Sequence, residues 1–126
     1  MNLMLLSGDY AKLHAAAMVS LVASSLGQTV NVFVSMEALP AFHAEAKERE
    51  SIGRGPIGDA IRESGTPQYL ELFEQAKEFG DVHLYACSLV ADLKGWSLAD
   101  LSPLFDDMLG VAGFLGQIED GVSLTF

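Results

Sequence analysis

The sequence predicts an α/β protein: a three-layer α/β/α sandwich with a mainly parallel five-stranded sheet, in one domain over residues 1–126. Two observations carry that expectation. Strand-like and helix-like runs alternate along the chain, and the strand-like runs read as largely continuous apolar runs rather than alternating ones. Strands buried on both faces read this way, and βαβ alternation builds a parallel sheet with helices on its two sides.

The elements follow in chain order. Met1–Leu6 is a short apolar strand that stops at Ser7-Gly8-Asp9, a turn cluster able to cap a helix. Tyr10–Leu26 is rich in Ala, Leu, Met and Val and ends at Gly27; it is apolar around most of its circumference, which predicts burial on more than one side. Thr29–Met36 is β-branched, apolar and bounded by polar residues, the clearest strand in the chain. A helical piece is expected over Leu39–Arg49. Residues 50–66 are the most polar and glycine-rich and read as a long loop with a helical turn at Asp59–Glu63. Pro67 fits the first turn of a helix that runs to Phe79, where Gly80-Asp81 ends it. Val82–Cys87 is the third strand, Ser88–Lys94 a short helix and Gly95 its stop. Ser97 and Asp100 then form a capping-box pattern opening another helix. A strand near Met108–Val111, a helix over Gly113–Glu119 and a strand Val122–Phe126 complete the series.

Composition narrows the function classes. Half of the residues are hydrophobic, which is high for a small domain, so apolar area is expected to face outward and a homo-oligomer is favoured over a monomer. A net charge of −10, with the seven basic residues scattered, argues against a nucleic-acid partner and against an anionic membrane surface. The start MNLMLLSGDY lacks the positive region of a secretion signal, and Ala15–Val22 is too short to span a bilayer. One cysteine allows no internal disulfide and fits a reducing compartment, so a cytoplasmic protein is expected.

Most chemical motifs fail on context. Gly53-Arg54-Gly55-Pro56-Ile57-Gly58 matches the dinucleotide fingerprint in letters only, because polar KERES stands where a strand must precede it; a mobile loop at the sheet rim, able to gate a site, fits better. His14, His43 and His83 have no metal-ligand spacing. His83 reads as a core histidine on a buried strand and His43 as a solvated one on a polar helix, whereas His14 is placed to line the carboxyl edge of the sheet. Asp106-Asp107 reads as a solvated helix end. No nucleophile elbow and no P-loop occur. No metal and no cofactor are expected.

Cys87 is the exception. It is the last residue of the strand VHLYAC, and in an open parallel sheet functional groups gather outside the carboxyl ends of the strands. The helix that follows offers free amides and the positive end of its dipole, which favour a thiolate. The opposing reading is a small buried hydrophobe, a common fate of a free cysteine.

The segment YACSLVADLKGW resembles the active segment of the DsrE/DsrF-like (TusD-type) sulfur-relay family: a hydrophobic strand, a cysteine, a short helix rich in small residues, and a glycine before a further helix. Cys87 and Gly95 fall at matching places, and LMLLSGD and GVSLTF resemble the family's two ends. The resemblance implies an α/β sandwich assembling into trimers or hexamers. It also implies that Cys87 carries sulfane sulfur as a persulfide. Ser88 and the next backbone amides would then stabilise the anion, with Ser7, Gly8, Asp9 and His14 as candidate neighbours. With no second cysteine in the chain, the sulfur must pass to another protein or a small thiol.

The leading expectation is therefore sulfurtransferase-like carriage of sulfur on Cys87, for sulfur oxidation or trafficking. Its partners would be sulfur donor and acceptor proteins or low-molecular-weight persulfides. Two alternatives stand beside it: a peroxide-reactive thiol enzyme or sensor, and a non-catalytic oligomeric subunit in which Cys87 only packs.

Overall fold

A computed structural model describes residues 1–118 and 120–126, with the exception of the side chain at position 51. Among the described residues five strands form one sheet in the order β4-β3-β2-β1-β5, every neighbouring pair parallel. They are β1 (Asn2–Leu5), β2 (Val30–Val34), β3 (Val82–Cys87), β4 (Phe105–Leu109) and β5 (Ser123–Thr125). The helices are α1 (Tyr10–Ser25), α2 (Pro56–Glu63), α3 (Tyr69–Phe79), α4 (Ser88–Lys94) and α5 (Val111–Gln117). The predicted sandwich is thus the observed fold, with helices on both sides of the sheet.

Register neighbours in a parallel sheet share a face. Leu3, Val32 and Leu84 lie side by side on one face, together with Phe105 of β4. On that side α1 and α3 pack against each other, and Phe42 stands at the centre of an aromatic cluster with Tyr69, Phe73 and Phe105, centroids 5.6–5.7 Å apart. The other face carries Met4, Phe33, Tyr85 and Asp107. There α5 closes over the sheet through Phe114, which stacks on Phe33 at 4.9 Å and lies 6.1 Å from Tyr85.

Local chemistry sets the boundaries. Asp9 caps α1 by accepting from the Lys12 amide at 3.1 Å. Gly95, at φ 71°, ends α4 in the left-handed region, while the Trp96 amide donates back to the Ala91 carbonyl at 2.8 Å. Ser97 and Asp100 form the predicted capping box, but it opens a single 3-10 turn over Leu98–Asp100.

Several other expectations change. Leu39–Arg49 is no continuous helix: 3-10 segments cover Met36–Phe42 and Ala46–Ser51, since Pro40 interrupts regular α-helical bonding. The long loop expected over residues 50–66 contains α2, which starts at Pro56, a proline suited to the first helical position. Pro67 lies outside α3, because Gln68 is its N-cap. Asp106-Asp107 lies on β4 and not at a helix end. Asp106 sits at a register shift, where its Oδ2 accepts from the Leu84 amide at 2.9 Å and from Lys77 Nζ at 2.6 Å. The carboxylate takes over the acceptor role that the bulged ladder leaves unfilled. α5 starts at Val111, and its expected end at Glu119 lies outside the described residues. α1 is buried on its inner sides only: Met18, Val22 and Leu26, spaced by four, are 50%, 57% and 75% exposed. Outward apolar area is therefore present, as the composition predicts. No helix among the described residues is long and apolar enough to cross a membrane.

Candidate functional site

The carboxyl ends of β1, β2, β3 and β4 bring four turns into a row. Cys87 ends β3, serves as N-cap residue of α4, and is fully buried. Strand alternation puts its side chain on the α5 side, two residues beyond Tyr85. Its register partner on β4 is Leu109, followed by Gly110 and α5. The two turns touch: a Cβ on Gly110 would sit 3.7 Å from Ser88 Oγ.

On the other flank β2 pairs Val34 with Ala86, and the next step brings Ser35, still extended at φ −139° and ψ 176°, level with Cys87. Ser35 is 1% exposed and its Oγ has no hydrogen-bond partner. A buried hydroxyl without a partner is costly, of the order of 1–3 kcal/mol, and most are avoided in folded proteins. Directly after it, Met36 adopts φ 48°, the left-handed region that a side chain resists. An unsatisfied hydroxyl and a strained residue therefore follow the end of the strand next to the one that Cys87 ends. Sequence reading placed Ser35 inside a strand without a role; its apolar, β-branched surroundings hold no polar pattern that would single it out.

The β1–α1 turn packs on this arrangement. A Cβ on Gly8 would lie only 2.7 Å from the Glu37 carbonyl oxygen, so glycine is what lets the two turns meet. Ser7 Oγ accepts from the Asp9 amide at 3.1 Å, and the Asp9 carboxylate is occupied in capping α1. Ser7 and Asp9 thus shape the turn. His14 lies in the second turn of α1, with Nδ1 buried and unpartnered; burial holds its pKa below the ordinary histidine value. The structure thus gathers Ser88 and Gly8 around the edge that holds Cys87 and puts His14 on the helix behind.

The other two histidines differ from expectation. His43 is buried, not solvated: its ring packs on Trp96 at 4.6 Å and Nδ1 accepts from the Glu45 amide at 3.0 Å. His83 is partly exposed, not a core residue, and its Nε2 lies 2.7 Å from Asp81 Oδ1.

A second locus escaped the sequence entirely. Seven basic residues read as scattered, yet all three arginines line adjoining parts of one open cleft beside the N-terminal turns of α1 and α3. The larger part, about 480 Å³, is lined by Tyr10, Arg49, Ile52, Arg62 and Tyr69 among others; the smaller, about 360 Å³, by Arg49, Arg54 and Arg62 with Glu50 and Ile52. Their convergence depends on the chain between β2 and α3 folding back to meet α1: the Tyr10 amide donates to the Gly53 carbonyl at 2.8 Å, and Gly53 bridges Asp9. No local pattern encodes that contact.

Fold and site together define an α/β protein with an all-parallel sheet whose carboxyl edge holds a buried thiol, with an unsatisfied hydroxyl just past the end of the neighbouring strand. Among protein-family models and curated proteins, none matches this chain.

Proposed function

We propose that this protein is a thiol-based sulfur carrier, accepting sulfane sulfur on Cys87 as a persulfide and passing it to an acceptor thiol. The observation that supports the reading best is the placement of Cys87 at the carboxyl end of β3 and the start of α4, with the unpartnered Ser35 hydroxyl just past the end of the neighbouring strand β2. Thiolate attack on the outer sulfur of a donor persulfide forms the Cys87 sulfur–sulfur bond and releases the donor as thiolate. An acceptor thiolate then takes the outer sulfur and frees Cys87, with no net redox change. A persulfide anion needs hydrogen-bond donors, and the Ser35 hydroxyl together with the first amides of α4 is the available supply.

The thiol is fully buried, so loading requires a local opening, and the turn from Leu109 to α5 is the element to move. Exposed apolar side chains such as Leu89 and Leu93 on α4 support a homo-oligomer, and a single free cysteine suits the cytoplasm. The same burial favours a second reading, in which Cys87 is a packing residue.

Mass spectrometry of the native protein after polysulfide treatment separates the two. A carrier gains sulfur on Cys87, loses the adduct on addition of a small thiol, and fails to load as Cys87→Ser. Ser35→Ala, which removes an unsatisfied buried hydroxyl, should gain stability and load more slowly. An unmodified Cys87, at a polysulfide concentration that loads a free thiol, would sink the carrier reading.

A further inference from the structure

We infer that the arginine cleft is a binding site for a small organic anion, a phosphate or carboxylate whose charged group is held by Arg49, Arg54 and Arg62. Four facts support this, none involving Cys87, which does not line the cleft. The first is distribution. A chain of net charge −10 places its three arginines together along one cleft, where Glu50 and Glu71 are the only carboxylates among the lining residues.

The second is how the guanidinium groups are held. Arg49 Nη1 donates to the His43 carbonyl at 2.6 Å and the Ala44 carbonyl at 3.0 Å, contacts that fix its position without neutralising its charge. Arg62 lies over the Tyr10 ring, 5.7 Å from its centroid, again positioned with its charge intact. Arg54 has a loose pair with Asp59 at 3.6 Å, both side chains about half exposed, which an incoming anion can displace. The planar forks of two anchored arginines suit bidentate recognition of phosphate or carboxylate.

The third is a rigid wall. The Tyr10 hydroxyl donates to Gln68 Oε1, whose Nε2 donates to the Ile61 and Thr66 carbonyls at 3.1 and 2.8 Å, and the Tyr69 hydroxyl donates to the Ala41 carbonyl. Burial pushes both tyrosine pKa values up, so the wall is neutral at physiological pH. The fourth is size: a cleft of about 480 Å³ with apolar Ile52 and Leu70 falls in the range of small-molecule sites and leaves room for an organic body beyond the charged group. Glu71, which lines the larger part, offers an acceptor to hydroxyl or amino groups of that body; Glu50, which lines both parts, opposes the anion.

Titration calorimetry of the full chain with inorganic phosphate, adenosine 5′-monophosphate and citrate, each against sodium chloride of equal ionic strength, tests the site. At least one probe should bind with a dissociation constant below about 1 mM. Preference for the first two identifies phosphate as the recognised group, and preference for citrate identifies carboxylate. Arg62→Gln and Arg54→Gln should each weaken that probe, Arg62→Gln by about tenfold, with unchanged circular dichroism. Glu50→Gln should tighten it, a gain that a merely structural role would not produce. Lys12→Gln, outside the cleft, should leave it unaltered. Binding of no probe beyond the chloride control overturns the inference, and so does an equal loss in Lys12→Gln.

Discussion

The two faces of the sheet are built to different standards. Toward α1 and α3 the inward side chains Leu3, Leu5, Val30, Val32, Val34 and Leu84 are wholly buried, and the Phe42 cluster closes the end. Toward α5 the face begins with polar Asn2 and Asn31, whose side chains meet at 3.4 Å, and continues through partly exposed His83 and Tyr85. Phe33 against Phe114 and the buried Cys87 repeat the dense packing of the first face, while Val111, Leu115 and Val122 stay about half exposed. Stability accordingly resides on the α1/α3 side. The α5 side, which adjoins Cys87, opens at lower cost, as elements that move in function generally do.

The largest expected effect tests that asymmetry directly. Phe42→Ala should lower global stability by about 3–5 kcal/mol in denaturant unfolding. Phe114→Ala should cost clearly less, with its loss of amide-exchange protection confined to α5 and its neighbours. Equal costs would break the comparison. A smaller effect is expected where α3 is tied to β4: Asp106→Ala removes the acceptor for the buried Leu84 amide and the partner of Lys77, and should cost about 1–3 kcal/mol.

The smallest effect concerns His14 and pH. Its pKa in the folded state is depressed by burial, so below the ordinary value near 6.5 the unfolded chain binds the proton more readily. His14 therefore supports folding above that pH, and its contribution falls as the pH drops through 6.5 toward the folded value. Thermal melts from pH 7.5 to 5 should show a shallower decline in His14→Gln than in the parent protein; parallel curves would remove His14 as a source of the slope.

Much of the architecture was legible locally. Val82–Cys87, Ser88–Lys94 and Gly95 fall where the sequence puts them, because a buried strand, a short helix and a left-handed glycine stop are each encoded within a few residues. Parallel pairing follows from the continuous apolar runs, and the address of Cys87 at the carboxyl edge follows from the parallel sheet. The Asp106 bulge and the burial of His43 were not legible, since each depends on neighbours far along the chain. His43, for example, is buried by Trp96, more than fifty residues away in sequence.

The sequence by itself determined the strand and helix alternation, the acidic surface and the position of one thiol at a strand end. Tertiary structure alone decided what stands beside that thiol: the buried Ser35 hydroxyl arrives on a neighbouring strand through register, and the strained turn at Met36 follows it. It alone also gathered Arg49, Arg54 and Arg62, which the chain spaces without pattern, by docking Gly53 on the start of α1. Local propensity acts over a few residues, whereas burial and charge convergence are properties of packed surfaces, and so a site assembled across turns is written only in the fold.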